Sequence, residues 1–295
     1  MNLSRIFITD LDGTLLRSDQ TMSDFTVNVL NSAIQEGYIV SFATARGLIS
    51  AYSVVSDIAW KHPVILYNGA LLFDVINNRV IDGYFLDPDL TSEIIHRGKK
   101  HGCSPFYFLL DSTNKERVYH EKLASFGMIE FLKSRANDPR FIEVNTLEPS
   151  DDEKTLALTF IGELDDLLPL KEEVSAVLGD KVNLHIMKDY YIENQYFLEF
   201  SHPLAAKCEG LKMWAKHMNV ETKDICIFGD NLNDLGLFEV GGKKIAVSNS
   251  HVDILGIADT VIESNNEDGV AKYIKTCIKD IYKVTLGGNN FEVKR

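Results

Sequence analysis

Short runs of bulky apolar residues alternate with amphipathic helical patterns in the first quarter of the chain. Ile6–Ile8 is the first such run, and its β-branched and aromatic side chains are typical of a buried strand. Ser23 precedes a helical pattern over residues 24–36, and further apolar runs follow over 38–43 and 63–67. The order strand, helix, strand, helix, strand predicts a parallel sheet with right-handed crossovers.

The middle of the chain has a different pattern, in which strands occur in pairs between helices. Residues 73–85 predict a hairpin that turns at Asn77 and Asn78. Paired strands between helices predict an inserted α+β domain with an antiparallel sheet. The predicted helices are 89–101, 121–134 and 164–178, and the predicted strands are 104–110, 116–120, 141–145, 154–161, 182–187 and 190–200.

The alternating pattern returns after residue 203, so the two ends of the chain are predicted to form one domain. The predicted fold class is α/β, with a Rossmann-like doubly wound parallel sheet as the core and an inserted α+β domain. We predict the core over 1–84 and 191–285 and the insertion over 85–190. Residues 286–295 contain Gly-Gly-Asn-Asn and are predicted to be a loosely ordered tail.

The composition limits the class of protein. A formal net charge of −13 argues against a nucleic-acid surface, and it means that a phosphate site needs local positive charge. No apolar run approaches the roughly 18 residues of a membrane span. The four cysteines lie far apart in the sequence, which suits a reducing cytosol. We therefore expect a cytoplasmic protein with no nucleic-acid or membrane partner and no obligatory protein partner.

Two carboxylates directly follow the first strand. Asp10 and Asp12 are two residues apart, so an extended chain would place both side chains on the same face. Crowded carboxylates repel each other and lose solvation, and a hard divalent cation is the simplest compensation. The alternative is an Asp-rich surface turn, which is common after strands.

Polar clusters are predicted at the carboxyl ends of four strands, where open α/β sheets bind ligands. They are Asp10 with Asp12, Thr44, Asn68, and Asp230 with Asp234. Asp230 and Asp234 are four residues apart, so a helix beginning here would place both on one face. Lys207 lies near the start of the helix that returns to the core. Taken alone, Thr44 is typical of a turn residue and Lys207 of a solvated lysine.

The order of these motifs resembles the haloacid dehalogenase-like phosphatase superfamily. The shared pattern is Asp-x-Asp-Gly-Thr, a Thr, a Lys and Gly-Asp-x-x-Asn-Asp, and it spans the whole predicted core. The insertion resembles the large cap of the Cof-like branch, which carries a class IIB cap. Ala-Thr-Ala-Arg at 43–46 is similar to the Ala-Thr-Gly-Arg of that branch, with Ala45 in place of the glycine.

The resemblance implies a Mg²⁺-dependent phosphatase. By this resemblance Asp10 is the nucleophile that forms an aspartyl-phosphate, and Asp12 is the acid and base. Mg²⁺ is expected to bind the carboxylates of Asp10 and Asp230 and the backbone carbonyl of Asp12. Asp234 is expected to act from outside this ligand set, by orienting bound water or Lys207.

The resemblance also implies how the substrate is held. Thr44, Lys207 and Asn233 are expected to bind the phosphoryl oxygens, and the cap to close over the leaving group. The expected substrate is a small phosphorylated metabolite, either a sugar phosphate or a phosphorylated cofactor. Arg46 follows Thr44 but is more typical of a solvated residue, so we assign it no role.

Two other hypotheses of function remain open from the sequence alone. Phosphomannomutases resemble the same core and cap, so a phosphomutase is the second enzyme hypothesis. A non-catalytic phosphate-binding regulator is the third, although all the motif carboxylates are present and unpaired buried charges are costly.

Overall fold

The computed structural model describes residues 5–189 and 192–287, and the chain divides into two compact units. One unit contains the chain up to Asp82 and from Ala206 onward, and the other contains Gly83–Ala205. Within the described residues no helix is long and apolar enough to cross a membrane.

The described residues form helices and strands in the order that the sequence pattern predicts. The helices are α1 (Asp24–Gln35), α2 (Leu48–Val55), α3 (Pro88–Lys100), α4 (Phe126–Lys133), α5 (Leu164–Leu178), α6 (Lys207–Met218), α7 (Leu235–Val240), α8 (Val252–Ile257) and α9 (Gly269–Gly287). The strands are β1 (Ile6–Thr9), β2 (Ile39–Phe42), β3 (Val64–Leu66), β4 (Leu71–Asp74), β5 (Arg79–Gly83), β6 (Phe106–Leu110), β7 (Glu116–His120), β8 (Phe141–Glu143), β9 (Lys154–Gly162), β10 (Asn183–Lys188), β11 (Tyr196–Ser201), β12 (Ile225–Gly229), β13 (Lys243–Val247) and β14 (Thr260–Ile262).

The first unit is built on a parallel sheet of five strands in the order β2-β1-β12-β13-β14. The chain leaves β1 toward one edge of the sheet and leaves β12 toward the other, so the winding direction reverses between these two strands. In the β1–β12 register Thr9 pairs with Phe228, and the amide of Asp10 donates to the carbonyl of Phe228 at 2.9 Å. The two strands therefore end side by side at the switch point, where sheets of this kind bind ligands.

The apolar pattern explains why these strands lie at the centre. All four residues of β1 are buried, and Phe7 packs between the rings of Tyr38 and Phe228 at centroid distances of 6.1 and 6.2 Å. Ser23 caps α1 as predicted, because its hydroxyl accepts the amide of Thr26 at 3.0 Å. The doubly wound parallel core predicted from the sequence is confirmed.

The third strand pairs mainly outside the parallel sheet in which it was predicted to lie. β3 pairs antiparallel with β4 in a separate sheet of three strands, β3-β4-β5. Its link to β2 is a single parallel bridge between Ala43 and Ile65. β3 is only three residues long. It is followed by a turn at Tyr67 and Asn68, which have positive φ angles of 49° and 52°. This turn leads the chain into β4, so β3 pairs with its hairpin neighbour while it keeps a parallel bridge to β2, where the amide of Thr44 donates to the carbonyl of Ile65 at 3.0 Å.

The second unit contains a sheet of six strands in the order β10-β11-β9-β6-β7-β8. Neighbouring residues of β6 pack on opposite faces of the sheet. Tyr107 packs with apolar residues of α3 and α5, whereas Phe106 packs with Met128 of α4. Both faces of the sheet are therefore buried, as the period of two requires. The predicted antiparallel pairing is right for four strand pairs and wrong for β7 and β8, which are parallel.

The sequence placed the second boundary of the insertion too early. We predicted that the core resumes at residue 191, but β11 pairs with β9 and β10 in the sheet of the second unit. The division falls instead between Ala205 and Ala206. At the other end, α9 continues to Gly287, and the rest of the predicted 286–295 tail lies outside the described residues.

Gly69 provides a test of how tightly the turn after β3 is packed. Its φ is +97°, and a Cβ there would lie 2.1 Å from the carbonyl oxygen of Ala206. Gly37 is the matched control, because its φ is +86° and a Cβ there would meet nothing within 4 Å. We expect Gly37→Ala to lower the free energy of unfolding by about 1–2 kcal/mol. Gly69→Ala should cost about 1–3 kcal/mol more because of the overlap. Equal losses in denaturant unfolding would show that this contact relaxes freely.

Candidate active site

A buried ammonium group joins three segments of the first unit. Lys207 is the first residue of α6, and its side chain has 0% exposure. Its Nζ donates to Oδ1 of Asp10 at 2.6 Å and to Oδ1 of Asp234 at 2.7 Å. Two glycines allow this approach, since a Cβ on Gly210 would lie 2.7 Å from the Cα of Gly69. The first turn of α6 can therefore rest directly on the loop after β3.

The loop after β12 is organised by the carboxylate of Asp234. Its Oδ2 accepts the backbone amides of Asp230 at 3.0 Å and Asn231 at 3.2 Å, while its Oδ1 binds Lys207. No helix begins at Asp230: a 3₁₀ turn over Leu232–Asp234 follows, and α7 begins at Leu235, so the shared helical face considered from the four-residue spacing does not form. Asp230 and Asp234 come together because the chain folds back, not because they share a helical face.

Asp230 is held from the opposite side by the loop after β1. The hydroxyl of Thr14 donates to Oδ1 of Asp230 at 2.6 Å. Gly13 has a φ of +79°, and a Cβ there would lie 2.5 Å from Oδ2 of Asp230. The glycine of the Asp-x-Asp-Gly-Thr motif is therefore required by the closeness of a carboxylate as well as by the turn.

Negative charge exceeds positive charge in this cluster. Carboxylate oxygens of Asp10, Asp230 and Asp234 lie within 4.8 Å of one another, and Lys207 is the ammonium among them. Burial raises the pKa of Asp10 well above its ordinary value, Lys207 opposes this shift, and the charges of Asp234 and Asp230 add to it. Burial likewise raises the pKa of Asp230, to about 6. The two carboxylates nevertheless hold the pKa of Lys207 above its ordinary value despite burial.

This donor set fits a hard divalent cation. With three carboxylates ionised, one ammonium leaves two negative charges uncompensated, which is the charge of Mg²⁺ or a similar ion. All the donors are oxygen atoms, the ligand type that such cations prefer. Both oxygens of Asp234 already accept hydrogen bonds, so Asp10 and Asp230 are the carboxylates best placed to coordinate.

Asp12 lies beside this cluster but is more exposed, with 49% of its side chain accessible. Arg46 binds both of its carboxylate oxygens, and the Nε to Oδ2 distance is 2.7 Å. Arg46 is the residue that sequence reasoning missed. A signal was present, because Arg46 follows a strand end of the same sheet as Asp12, but spacing alone does not show that the two side chains meet.

Thr44 and Asn233 lie on neighbouring loops. Thr44 is fully buried at the end of β2, and its hydroxyl accepts the amide of Arg46 at 3.1 Å. The amide of Asn233 donates to Oδ1 of Asn68 at 3.2 Å. The structure thus joins Asp10, Asp230, Asp234 and Lys207 in one cluster, while Asp12, Thr44 and Asn233 lie on the surrounding loops.

The chain belongs to the haloacid dehalogenase-like hydrolase family. The family model, described as haloacid dehalogenase-like hydrolase, matches residues 7–274 and therefore both units. This confirms the family resemblance and the fold class predicted from the sequence.

Individual relatives are phosphatases that match nearly end to end. The chain is 25% identical to phosphatase YwpJ of Bacillus subtilis, over 92% of this chain and 99% of that protein. It is 22% identical to pyridoxal phosphate phosphatase YbhA of Escherichia coli, over 92% and 97%. Among solved structures, TM0651 from Thermotoga maritima superposes with a TM-score of 0.74 at 26% identity, over 92% and 97%. The predicted enzyme class, a phosphoric monoester hydrolase, is confirmed by the family and these names.

The buried ammonium should dominate the stability of the cluster. Lys207→Met would leave Asp10 and Asp234 without a counter-charge, so we expect the free energy of unfolding to fall by about 3–5 kcal/mol. Lys212→Met on the same helix is the control, because Lys212 pairs with Glu209 at the surface and should contribute about 0–1 kcal/mol. Denaturant unfolding of both variants measures the difference. A Lys207 variant as stable as the Lys212 variant would contradict the ionic role.

Proposed function

We propose that this protein is a Mg²⁺-dependent phosphatase that hydrolyses a small phosphorylated metabolite through an aspartyl-phosphate. The observation that carries the proposal is the cluster of three carboxylates around one ammonium at the switch point of the sheet. Such a cluster can bind a cation and present a carboxylate nucleophile at the same place.

The carboxylates of Asp10 and Asp230 would hold the ion, with the backbone carbonyl of Asp12. Bound Mg²⁺ would supply positive charge that lets a phosphate dianion approach a carboxylate. Asp234 would keep its position behind these ligands, where it fixes both Lys207 and the amides of the Asp230 loop. The whole protein is acidic, so this local positive charge is what admits an anionic substrate.

In the first half-reaction, one carboxylate oxygen of Asp10 attacks phosphorus in line with the leaving alcohol. The new bond joins that oxygen to phosphorus, and the bond from phosphorus to the leaving oxygen breaks. Protonated Asp12 gives its proton to the leaving oxygen, so an alcohol departs and Asp12 becomes a carboxylate.

In the second half-reaction, water attacks the phosphorus of the aspartyl-phosphate. Asp12 takes a proton from this water, the bond between phosphorus and the Asp10 oxygen breaks, and inorganic phosphate leaves. Asp10 returns as a carboxylate and Asp12 returns protonated, so both residues are restored after one turnover.

The phosphoryl oxygens would be held by groups around the cluster. Lys207 is already oriented by two carboxylates and would neutralise charge on one oxygen. We assign the hydroxyl of Thr44 and the side chain of Asn233 to the same task. Thr44 follows β2, the neighbour of the strand that leads to Asp10, and Asn233 lies on the same loop after β12 as Asp230.

The substrate class is supported by a relative. YbhA is named for pyridoxal phosphate, a small phosphorylated cofactor, and it aligns over most of this chain. We therefore propose a sugar phosphate or a phosphorylated cofactor as the substrate, acted on in the cytoplasm without a nucleic-acid, membrane or obligatory protein partner.

Removing the nucleophile should abolish turnover without unfolding the protein. Asp10→Asn keeps the shape of the side chain but removes the attacking carboxylate, so we expect no phosphate release above background. Asp12→Asn should lower kcat by about 10²- to 10⁴-fold, because proton transfer is lost in both half-reactions. Asp57→Asn, an exposed position outside the cluster, is the control and should retain wild-type rates. Turnover by Asp10→Asn would reject the nucleophile.

Removal of the metal ion tests whether phosphate release depends on Mg²⁺. Phosphate release would be measured on phosphorylated sugars, nucleotides and cofactors, with Mg²⁺ and then with excess EDTA. We expect release only with Mg²⁺, and Asp230→Asn should need a higher Mg²⁺ concentration because one ligand is lost. Full activity in EDTA would reject the metal. If no compound of the panel releases phosphate, the non-catalytic regulator becomes the better hypothesis. If activity requires a bisphosphate activator, the phosphomutase becomes the better hypothesis.

A further inference from the structure

The carboxylate of Asp12 is held by a side chain that the proposed mechanism does not use. Arg46 presents Nε to Oδ2 of Asp12 and Nη2 to Oδ1, so two parallel hydrogen bonds define the plane of the carboxylate. A paired guanidinium limits rotation of a carboxylate far more than a single donor does. This matters for Asp12, because 49% of its side chain is exposed.

Arg46 is itself fixed by its surroundings. Its Nη2 also donates to Oε1 of Gln20 at 2.9 Å, and its Nη1 donates to the carbonyl of Ser50 at 3.3 Å. Its backbone carbonyl accepts the amide of Tyr67 at 3.1 Å. The guanidinium therefore has acceptors on three sides, and only 15% of the side chain is exposed.

Gln20 occupies a turn that is anchored elsewhere in the first unit. Its φ is +65°, and its amide donates to the carbonyl of Arg17 at 2.8 Å. The Arg17 side chain in turn binds Asp268 through two nitrogens at 3.0 to 3.3 Å. The turn that carries Gln20 is thus anchored to the segment before α9.

We propose that Arg46 is a positioning residue for Asp12, and that Gln20 keeps Arg46 in that role. This inference rests on the proposed function, in which Asp12 moves a proton in both half-reactions. A misaimed acid costs rate even when the residue itself is present, since proton transfer needs hydrogen-bond geometry. Arg46 would therefore affect the proton-transfer steps and leave substrate binding nearly unchanged.

The test compares two leaving groups. An alkyl phosphate needs a proton on its departing oxygen, whereas 4-nitrophenyl phosphate releases a stable phenolate without one. The constant kcat/KM reports formation of the aspartyl-phosphate, so it isolates the first half-reaction. The alkyl substrate would be the one that the wild-type enzyme hydrolyses fastest.

We expect Arg46→Lys to lower kcat/KM on the alkyl phosphate by at least about tenfold, because lysine keeps the charge but not the paired geometry. The loss on 4-nitrophenyl phosphate should stay below about threefold, and KM should hardly change for either substrate. Gln20→Leu, which removes the acceptor for Nη2 of Arg46, should give a weaker form of the same pattern.

A double variant separates positioning from independent roles. Asp12→Asn combined with Arg46→Lys should be no slower than Asp12→Asn alone, since Arg46 would act only through Asp12. Arg97→Lys is the control, because Arg97 pairs with Glu93 and Glu173 and its side chain is 17% exposed, close to the value for Arg46. That variant should not change the ratio of the two kcat/KM values.

The outcomes distinguish the two levels of the proposal. Wild-type enzyme that releases phosphate from neither substrate would overturn the proposed function and this inference with it. If wild type and Asp12→Asn behave as expected, three results would overturn the inference alone. These are an equal loss on both substrates in Arg46→Lys, an additive loss in the double variant, or a raised KM without a change in kcat.

Discussion

The buried contact of Lys207 with two carboxylates is the interaction on which the rest of the site depends. An ammonium without exposure is stable only when its charge is matched, and Asp10 and Asp234 do this at 2.6 and 2.7 Å. The contact joins the end of β1, the start of α6 and the loop after β12. It therefore ties together segments that are about 200 residues apart in the sequence.

Close backbone packing is what brings those segments together. Gly13, Gly69 and Gly210 each lie where a Cβ would overlap a neighbouring segment, so the loops approach more closely than side chains would allow. Asp234 then uses both of its oxygens to hold Lys207 and the amides of its own loop. The result is an acidic cluster with an excess of negative charge, which suits the cation and the carboxylate nucleophile that we propose for this site.

Much of the fold follows from the local pattern of apolar residues. The runs that become β1, β2 and β12 are mostly apolar and do not alternate with polar residues, because these strands are buried on both faces, and that signal is visible in the sequence. The partner of β3 and the parallel pairing of β8 were not predicted correctly. Pairing partners depend on which segments meet after the chain has turned, and periodicity contains no information on that.

The sequence by itself determined the doubly wound core, the inserted second domain and the positions of the motif carboxylates, because strand ends and their polar residues are local features. Only the tertiary structure decided how those residues meet. It made Asp234 a loop-organising acceptor and not part of a helical face with Asp230, and it paired Arg46 with Asp12 across two strand ends. Both outcomes depend on distances between segments that are remote in the chain, and those distances exist only once the sheet has formed.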